Sequence, residues 1–247
     1  MKVLFYPGDH RKNERHTQSK QMMLTQKLGH EIVDIEDGGD CDVKFHLDFH
    51  TIHANPGYFA INANCNDVSK GNVDRQWCTV FGYGAEINPL TYEGLCVVRK
   101  NVAQGIHDAR ILVHPIKPMP GMFYTKLINT RVGKDLFRDI RLVIIGNEVI
   151  AVIIKEKLLA NRFNQRVNYT TKYITSKIDE WLSKDEQEKV FEFCVNMGLD
   201  YGEIDCLRDE DEKLYCVDVN NIPGTRQEFE TPEMLQEFEK LLQKFRL

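Results

Sequence analysis

Apolar positions along the first third of the chain follow two alternating rhythms. Residues 2–6 form a short apolar run that predicts a buried strand. Residues 17–28 carry Met22, Met23 and Leu28 at helical spacing, with Gly29 as a stop. Residues 31–35 and 58–62 predict further strands, and 69–80 predicts a helix leading into Phe81-Gly82-Tyr83-Gly84. This β-α-β rhythm implies a small parallel sheet covered by helices. From about residue 86 the rhythm changes. Residues 95–98, 111–113 and 122–128 predict short strands separated by turns, and 139–145 pairs with 149–154 as a hairpin across Gly146-Asn147. Residues 155–184 are polar with little apolar period and are expected to be a loop. Ser183 with Glu186 makes a capping box for a helix carrying Val190, Phe191, Cys194 and Val195, ended by Gly198. Strands at 202–207 and 214–219 follow. The last helix starts at Thr231-Pro232 and is expected to bury Leu235, Phe238, Leu241, Leu242 and Phe245. The order predicts an α/β N-terminal domain followed by an α+β unit.

Composition narrows the function classes. With 247 residues the chain holds one large domain or two or three small ones, and 42% hydrophobic with 28% charged residues argues against disorder. A formal net charge of −5 supplies no global basic field, so nucleic acid is not an expected partner. No apolar run approaches the roughly 20 residues that span a bilayer. The longest, 142–154, is broken by Gly146, Asn147 and Glu148, and the N-terminal strand stops too soon for a signal-peptide core. Seven cysteines occur without a C-x-x-C pair, and Cys194, Cys206 and Cys216 sit in apolar patterns. They read as small core residues in a reducing compartment, and the expected location is cytoplasmic.

The chemistry concentrates in residues 201–225. The tip of this hairpin, 208–213, is charged and must be exposed. Alternation across the strands puts Ile204 and Cys206 with Tyr215, Val217 and Val219 on a core face, and Glu203 and Asp205 with Asp218 and Asn220 on the other. If Leu207 pairs with Leu214, Asp205 opposes Cys216 and lies diagonal to Asp218. Carboxylates gathered in this way repel. An oxygen-only set selects a hard cation, and Mg²⁺ keeps coordination positions for water and phosphate. The run Asp218-Val219-Asn220-Asn221-Ile222-Pro223-Gly224 adds a placed amide and a forced turn that solubility does not require.

These residues resemble the closing motif of ATP-grasp enzymes. There, an aspartate on one strand precedes an acidic-x-Asn-x-x-Pro-Gly element on the next. Such families include D-alanine–D-alanine ligases and the ligases that add glutamate to a ribosomal protein, and Gly198-Leu199-Asp200 stands ahead of the strand as it does in them. The resemblance implies a carboxylate–amine ligase using ATP and Mg²⁺, with Mn²⁺ as a substitute, and makes Asp205, Asp218 and Asn220 the metal ligands. Asp218 stands where Glu is commoner, a shorter reach that would shift the metal positions. The implied architecture is an α/β N-terminal domain (1–85) before an α+β ATP-grasp fold, with a small subdomain at 86–130 and a C-terminal one at 131–247.

Other positions follow from the same resemblance. Lys100 would reach the ATP phosphates, with Arg99 as its alternate, and the following loop brings Gly105 and His107 to the nucleotide. Thr125, Lys126, Leu127 and Ile128 would form the hinge against adenine. Arg141 would hold a carboxylate or acyl phosphate, and Lys155, Arg162 and Asn164 would face the nucleotide phosphates. Expected partners are small-molecule or peptide carboxylates and amines, and a homodimer is left open. A phosphotransferase on the same scaffold is the alternative activity, and a nucleotide-binding module without catalysis is a third reading. His46, His50 and His53 flank Asp48; on a helix His46 and His50 would share a face, as in metal sites. The interleaved Phe45, Leu47, Phe49 and Ile52 suit a strand and loop as well, and a polar rim of a substrate cleft, or no functional role, is the preferred reading.

Overall fold

The computed structural model describes residues 1–6, 20–33, 41–46, 59–103, 109–161, 169–223 and 231–247. The chain begins with strand β1 (Lys2–Tyr6), helix α1 (Lys20–Lys27) and strands β2 (Glu31–Val33) and β3 (Val43–His46). They form a parallel sheet of order β2-β1-β3. His46 therefore ends a strand, which overturns the helical reading at that residue; Asp48, His50 and His53 lie outside the described residues. The strand expected at 58–62 is reduced to one bridge, Ile61 to Phe45, because the chain turns at once over residues 62–64.

Helix α2 (Lys70–Phe81) leads to a second, antiparallel sheet built from β4 (Cys96–Lys100), β5 (Arg110–Leu112) and β6 (Met122–Lys126), in the order β5-β4-β6. The third sheet is the largest. It contains β7 (Arg131–Val132), β8 (Leu136–Ile145), β9 (Glu148–Leu158), β10 (Thr171–Thr175), β11 (Tyr201–Arg208) and β12 (Leu214–Asn220), with α3 (Lys184–Met197) before β11 and α4 (Pro232–Lys244) last. Its order is β10-β9-β8-β11-β12, with β7 on β8. The β8–β9 hairpin turns at Gly146 (φ 69°) and Asn147 (φ 71°), the two left-handed residues that a tight hairpin of right-twisted strands requires. The described residues of 155–184 are not all loop. Strand β9 runs on to Leu158 and Thr171–Thr175 pairs beside it, so backbone pairing at the sheet edge prevails over a polar sequence.

Two cores cover the two faces of this sheet. On one face Ile140, Leu142, Ile144, Val152, Ile154, Ile204 and Val219 pack under α2 and α3 through Trp77, Val190, Phe193 and Met197. Cys194, Cys206 and Cys216 are buried there, as expected of small core residues. The capping box of Ser183 and Glu186 and the left-handed Gly198 bound α3. Its buried stripe is Val190, Phe193, Cys194 and Met197, so Phe191 and Val195, one residue off that stripe, turn outward instead. On the other face Val143, Ile145, Ala151, Ile153 and Tyr201 meet the parallel sheet and the Met234, Phe238, Leu241 and Leu242 side of α4. Leu235 and Phe245 are only partly buried beside them. No helix among the described residues is long and apolar enough to cross a membrane.

Asn62 ties the N-terminal elements to this sheet. Its side-chain amide donates to the Tyr201 and Asn221 carbonyls at 2.7 and 3.1 Å, and its Oδ1 accepts from the Asp200 and Tyr201 N–H groups, both at 2.9 Å. Removing it leaves buried backbone groups without partners, each costing about 1–3 kcal/mol. Asn62→Ala is expected to lower unfolding free energy by about 3 kcal/mol or more, read from urea melts.

Candidate nucleotide and metal site

Along β8, β9 and β11 the side chains facing α4 change character partway. Val143, Ile145, Ala151, Ile153 and Tyr201 belong to the core, and the next inward positions are Arg141, Lys155, Glu203 and Asp205. One sheet face is thus an apolar platform at one end and an ionic cluster at the other. Arg141 is its hub: Nε and Nη2 donate to the two Asp205 carboxylate oxygens at 2.6 and 2.7 Å, and Nη1 donates to Glu203 at 2.6 Å. Lys155, nearly inaccessible to solvent, reaches Asp205 at 3.2 Å, and Lys20, the first residue of α1, reaches the other Glu203 oxygen at 3.3 Å. Burial pushes the Asp205 carboxyl up, but Arg141 and Lys155 outweigh it and hold it well below the usual carboxylate range. Burial likewise disfavours the Arg141 cation, yet Asp205 and Glu203 raise its pKa further above the ordinary value.

A bulge sets the other half of the site. The β11–β12 register shifts between Asp205 and Cys206, so Asp205 lies directly opposite Asp218, Cys206 opposite Cys216, and Leu207 opposite Tyr215. The expected pairing of Leu207 with Leu214 is corrected by one residue at the tip, where Leu214 faces Arg208, and the extra residue Val217 adds a second, so Asp205 faces Asp218 in place of Cys216. The bulge also redistributes the faces. Cys216 and Val219 enter the large core, whereas Tyr215 and Val217 join Ala85, Ile128, Tyr83 and Leu207 in a separate apolar cluster. Asp218 is pushed up by burial and by its neighbour Asp205, against the opposing pull of Lys70, which binds its Oδ1. Asn220 opposes Glu203, and its side-chain oxygen accepts from the Ile222 N–H at 3.2 Å.

The small sheet closes over this edge. Arg99 donates to the Val217 carbonyl at 3.3 Å, and the Lys126 ammonium donates to the Tyr215 hydroxyl at 2.6 Å. Lys100, the next residue after Arg99, is exposed on the opposite side of the strand, so Arg99 is the one turned towards β12. Thr125 is buried and pairs with Val97. The N–H groups of Lys126 and Leu127 are already spent on the Ala85 and Leu95 carbonyls at 2.9 and 2.8 Å, which removes both as donors to a base. Ile128 is buried in the apolar cluster. Gly105, His107, Arg162 and Asn164 lie outside the described residues.

The structure thus brings together Arg141, Lys155, Asp205 and Asp218 of the sequence-predicted residues. It gives Glu203, read from the sequence only as part of the acidic face, a partner in Arg141, and it adds Lys20 and Lys70, which had no assigned role. No local signal marks the two lysines, since each opens a helix far away in sequence. Among the described residues no cluster of three or more His, Cys, Asp or Glu side chains forms a metal site; the set here is two cross-strand carboxylates and an amide. Its donors are all oxygens, which suits a hard divalent cation, and an ion bound there would take Asp205 oxygens now engaged by Arg141 and Lys155.

Residues 118–236 match the RimK-like ATP-grasp domain. No curated protein matches the sequence. Among solved structures, ATP-grasp ligase PsnB complexed with a phosphomimetic variant of minimal precursor, Mg and ADP aligns over 97% of this chain and 98% of its own, with a TM-score of 0.61 at 11% identity. Macrocyclase MdnC bound with precursor peptide MdnA, from Microcystis aeruginosa MRC, aligns over 99% and 100%, with a TM-score of 0.53 at 14% identity. The VanG D-Ala:D-Ser ligase of Enterococcus faecalis aligns over 99% and 97%, with a TM-score of 0.56 at 12% identity. At these identities the likeness is one of fold. The family match covers the strands that carry Arg141, Lys155, Asp205 and Asp218, and over residues 118–236 the protein is similar to the RimK-like ATP-grasp domain.

Proposed function

We propose that the protein is an ATP-dependent ligase: a substrate carboxylate attacks the γ-phosphorus of ATP, ADP leaves, and an amine displaces phosphate from the acyl phosphate to give an amide. The observation that carries this reading is Asp205, locked side-on to Arg141 and touched by Lys155, directly across from Asp218. Phosphoryl transfer to a carboxylate needs charge neutralisation and alignment rather than a covalent nucleophile, and this cluster supplies fixed positive charge beside oxygen ligands. Asp205, Asp218 and Asn220 are the proposed holders of Mg²⁺, with Mn²⁺ as substitute, and the ion would screen the phosphate oxygens when bound.

Each neighbouring group has a role in this scheme. Arg141 and Lys155 orient the carboxylate and the transferred phosphoryl group. Glu203, itself held by Lys20, fixes the guanidinium plane of Arg141. The apolar walls of Ala85, Ile128, Leu207 and Val217 form the seat for adenine. Lys100, Gly105, His107, Arg162 and Asn164 remain proposed contacts to the nucleotide, with Arg99 preferred over Lys100 for the phosphate on the geometry above. The division into 1–85, 86–130 and 131–247 is retained as part of the proposal, with the nucleotide between the last two. A peptide or amino-acid substrate is the favoured class, since PsnB and MdnC are complexed with precursor peptides.

A panel of carboxylates and amines, including peptides, scored by ADP release tests the scheme. Release is expected only when both partners are present. A stable phosphate ester on a substrate hydroxyl, formed without any amine, would instead select phosphotransfer and remove the ligase reading.

A further inference from the structure

We propose that Lys70 is a positioning residue of the nucleotide site, fixing the Asp218 carboxylate from a helix outside the matched ATP-grasp region. This rests on the reading of Asp218 as a metal ligand. Lys70 is the first residue of α2 and is 5% exposed; its ammonium binds Asp218 Oδ1. Among the described residues Oδ2 accepts no hydrogen bond, so Lys70 holds one oxygen and leaves the other for a ligand.

The helix that carries Lys70 is itself fixed at several points. The Trp77 indole N–H donates to the Leu214 carbonyl at 3.1 Å, so α2 is hydrogen-bonded to both ends of β12. The Trp77 ring stacks on Phe81 with centroids 3.9 Å apart and is fully buried. Asp74 accepts from the N–H groups of Ala85 and Glu86 at 2.7 and 3.1 Å, which aligns one wall of the apolar cluster. The Gly71 N–H donates to the Asn101 side chain at 2.8 Å, directly after β4. A side chain at this position would press on that amide, since an added Cβ would lie 3.1 Å from Asn101 Nδ2. Helix α2 therefore joins strand β12, the apolar wall and the segment after β4. Lys70 acts from that scaffold rather than as a solvated charge, and its long stem loses little further freedom when Asp218 is engaged.

The alternative role is a bare counter-charge, and the two roles differ in sign. Deleting a cation beside two carboxylates would tighten a divalent ion. Loss of an anchor would loosen it, because Asp218 would be free to leave the ligating rotamer. Binding of Mn²⁺ with ADP, followed by calorimetry and by the Mn²⁺ paramagnetic resonance spectrum, separates them. Lys70→Met is expected to weaken Mn²⁺–ADP at least tenfold and to broaden the bound-ion spectrum, whereas Lys70→Arg stays within threefold of the unaltered protein. Binding is measured well below the melting temperature of Lys70→Met, which separates a positioning loss from unfolding. Unchanged or tighter Mn²⁺–ADP binding in Lys70→Met overturns this inference alone. Failure of the unaltered protein to bind Mn²⁺–ADP overturns the nucleotide reading and this inference together.

Discussion

Asp205→Asn is expected to lower Mg²⁺-dependent ATP turnover by about 10³-fold, the scale set by losing a preorganised electrostatic group. The substitution keeps the side-chain volume and one oxygen, so Arg141 still finds an acceptor. It removes the charge that Arg141 and Lys155 both face. Two cations then share one neutral amide, and the loss of charge-assisted hydrogen bonds costs about 1.5–3 kcal/mol of stability. ADP release at saturating Mg²⁺–ATP measures the first effect and denaturant melts the second. Turnover within tenfold of the unaltered protein would remove Asp205 from the site. The same logic applies to Asp218. An acidic cluster viewed alone stabilises nothing, and on that view Asp218→Ala would leave the fold untouched. The Lys70 ammonium is buried against it, so Asp218→Ala strands a cation with 5% exposure. The variant is expected to lose turnover and to melt measurably lower.

What could be read from the sequence depended on how local the cause was. The Gly146-Asn147 turn, the Ser183–Glu186 capping box and the Gly198 stop are each set by residues within a few positions, and all three stand in the structure. The acid-rich hairpin at 201–220 was equally legible as two strands. Its register was not. Strand β11 is clamped between β8 and β12, and its pairing to β8 carries Asp205 opposite Arg141 while the bulge at Val217 carries Asp218 opposite Asp205. Alternation within one strand cannot report a residue inserted on its partner. Strand β10 was missed for a related reason. Thr171–Thr175 has no buried residue, so no apolar period marks it, and only its neighbour β9 makes it a strand. The lysines were the least legible. Lys20 finds Glu203 across 183 residues and Lys70 finds Asp218 across 148. A lysine at the start of a helix reads as surface until the fold brings a carboxylate to it.

Arg141→Met tests the hub of the cluster through both stability and its dependence on pH. The substitution fills similar space without donors, and it leaves Asp205 with Lys155 alone and Glu203 with Lys20 alone. Breaking a buried ion pair costs about 3–5 kcal/mol, and because Arg141 and Asp205 keep 26% and 27% side-chain exposure the lower end, about 3 kcal/mol, is expected. The sign with pH follows from Asp205, whose folded carboxyl titrates below its ordinary value of 3.8. Its stabilising contribution is fully present above that value and is lost as pH falls through the lower folded value. The gap between the unaltered protein and Arg141→Met is therefore expected to be widest at neutral pH and to narrow below about pH 4. Urea melts of both proteins across that range supply the measurement. A gap that stays constant down to acid would mean that Arg141 stabilises by packing, with its charge idle in the fold. Turnover is expected to fall with stability held permissive, at low temperature, since the same guanidinium then fails to orient the carboxylate that ATP phosphorylates.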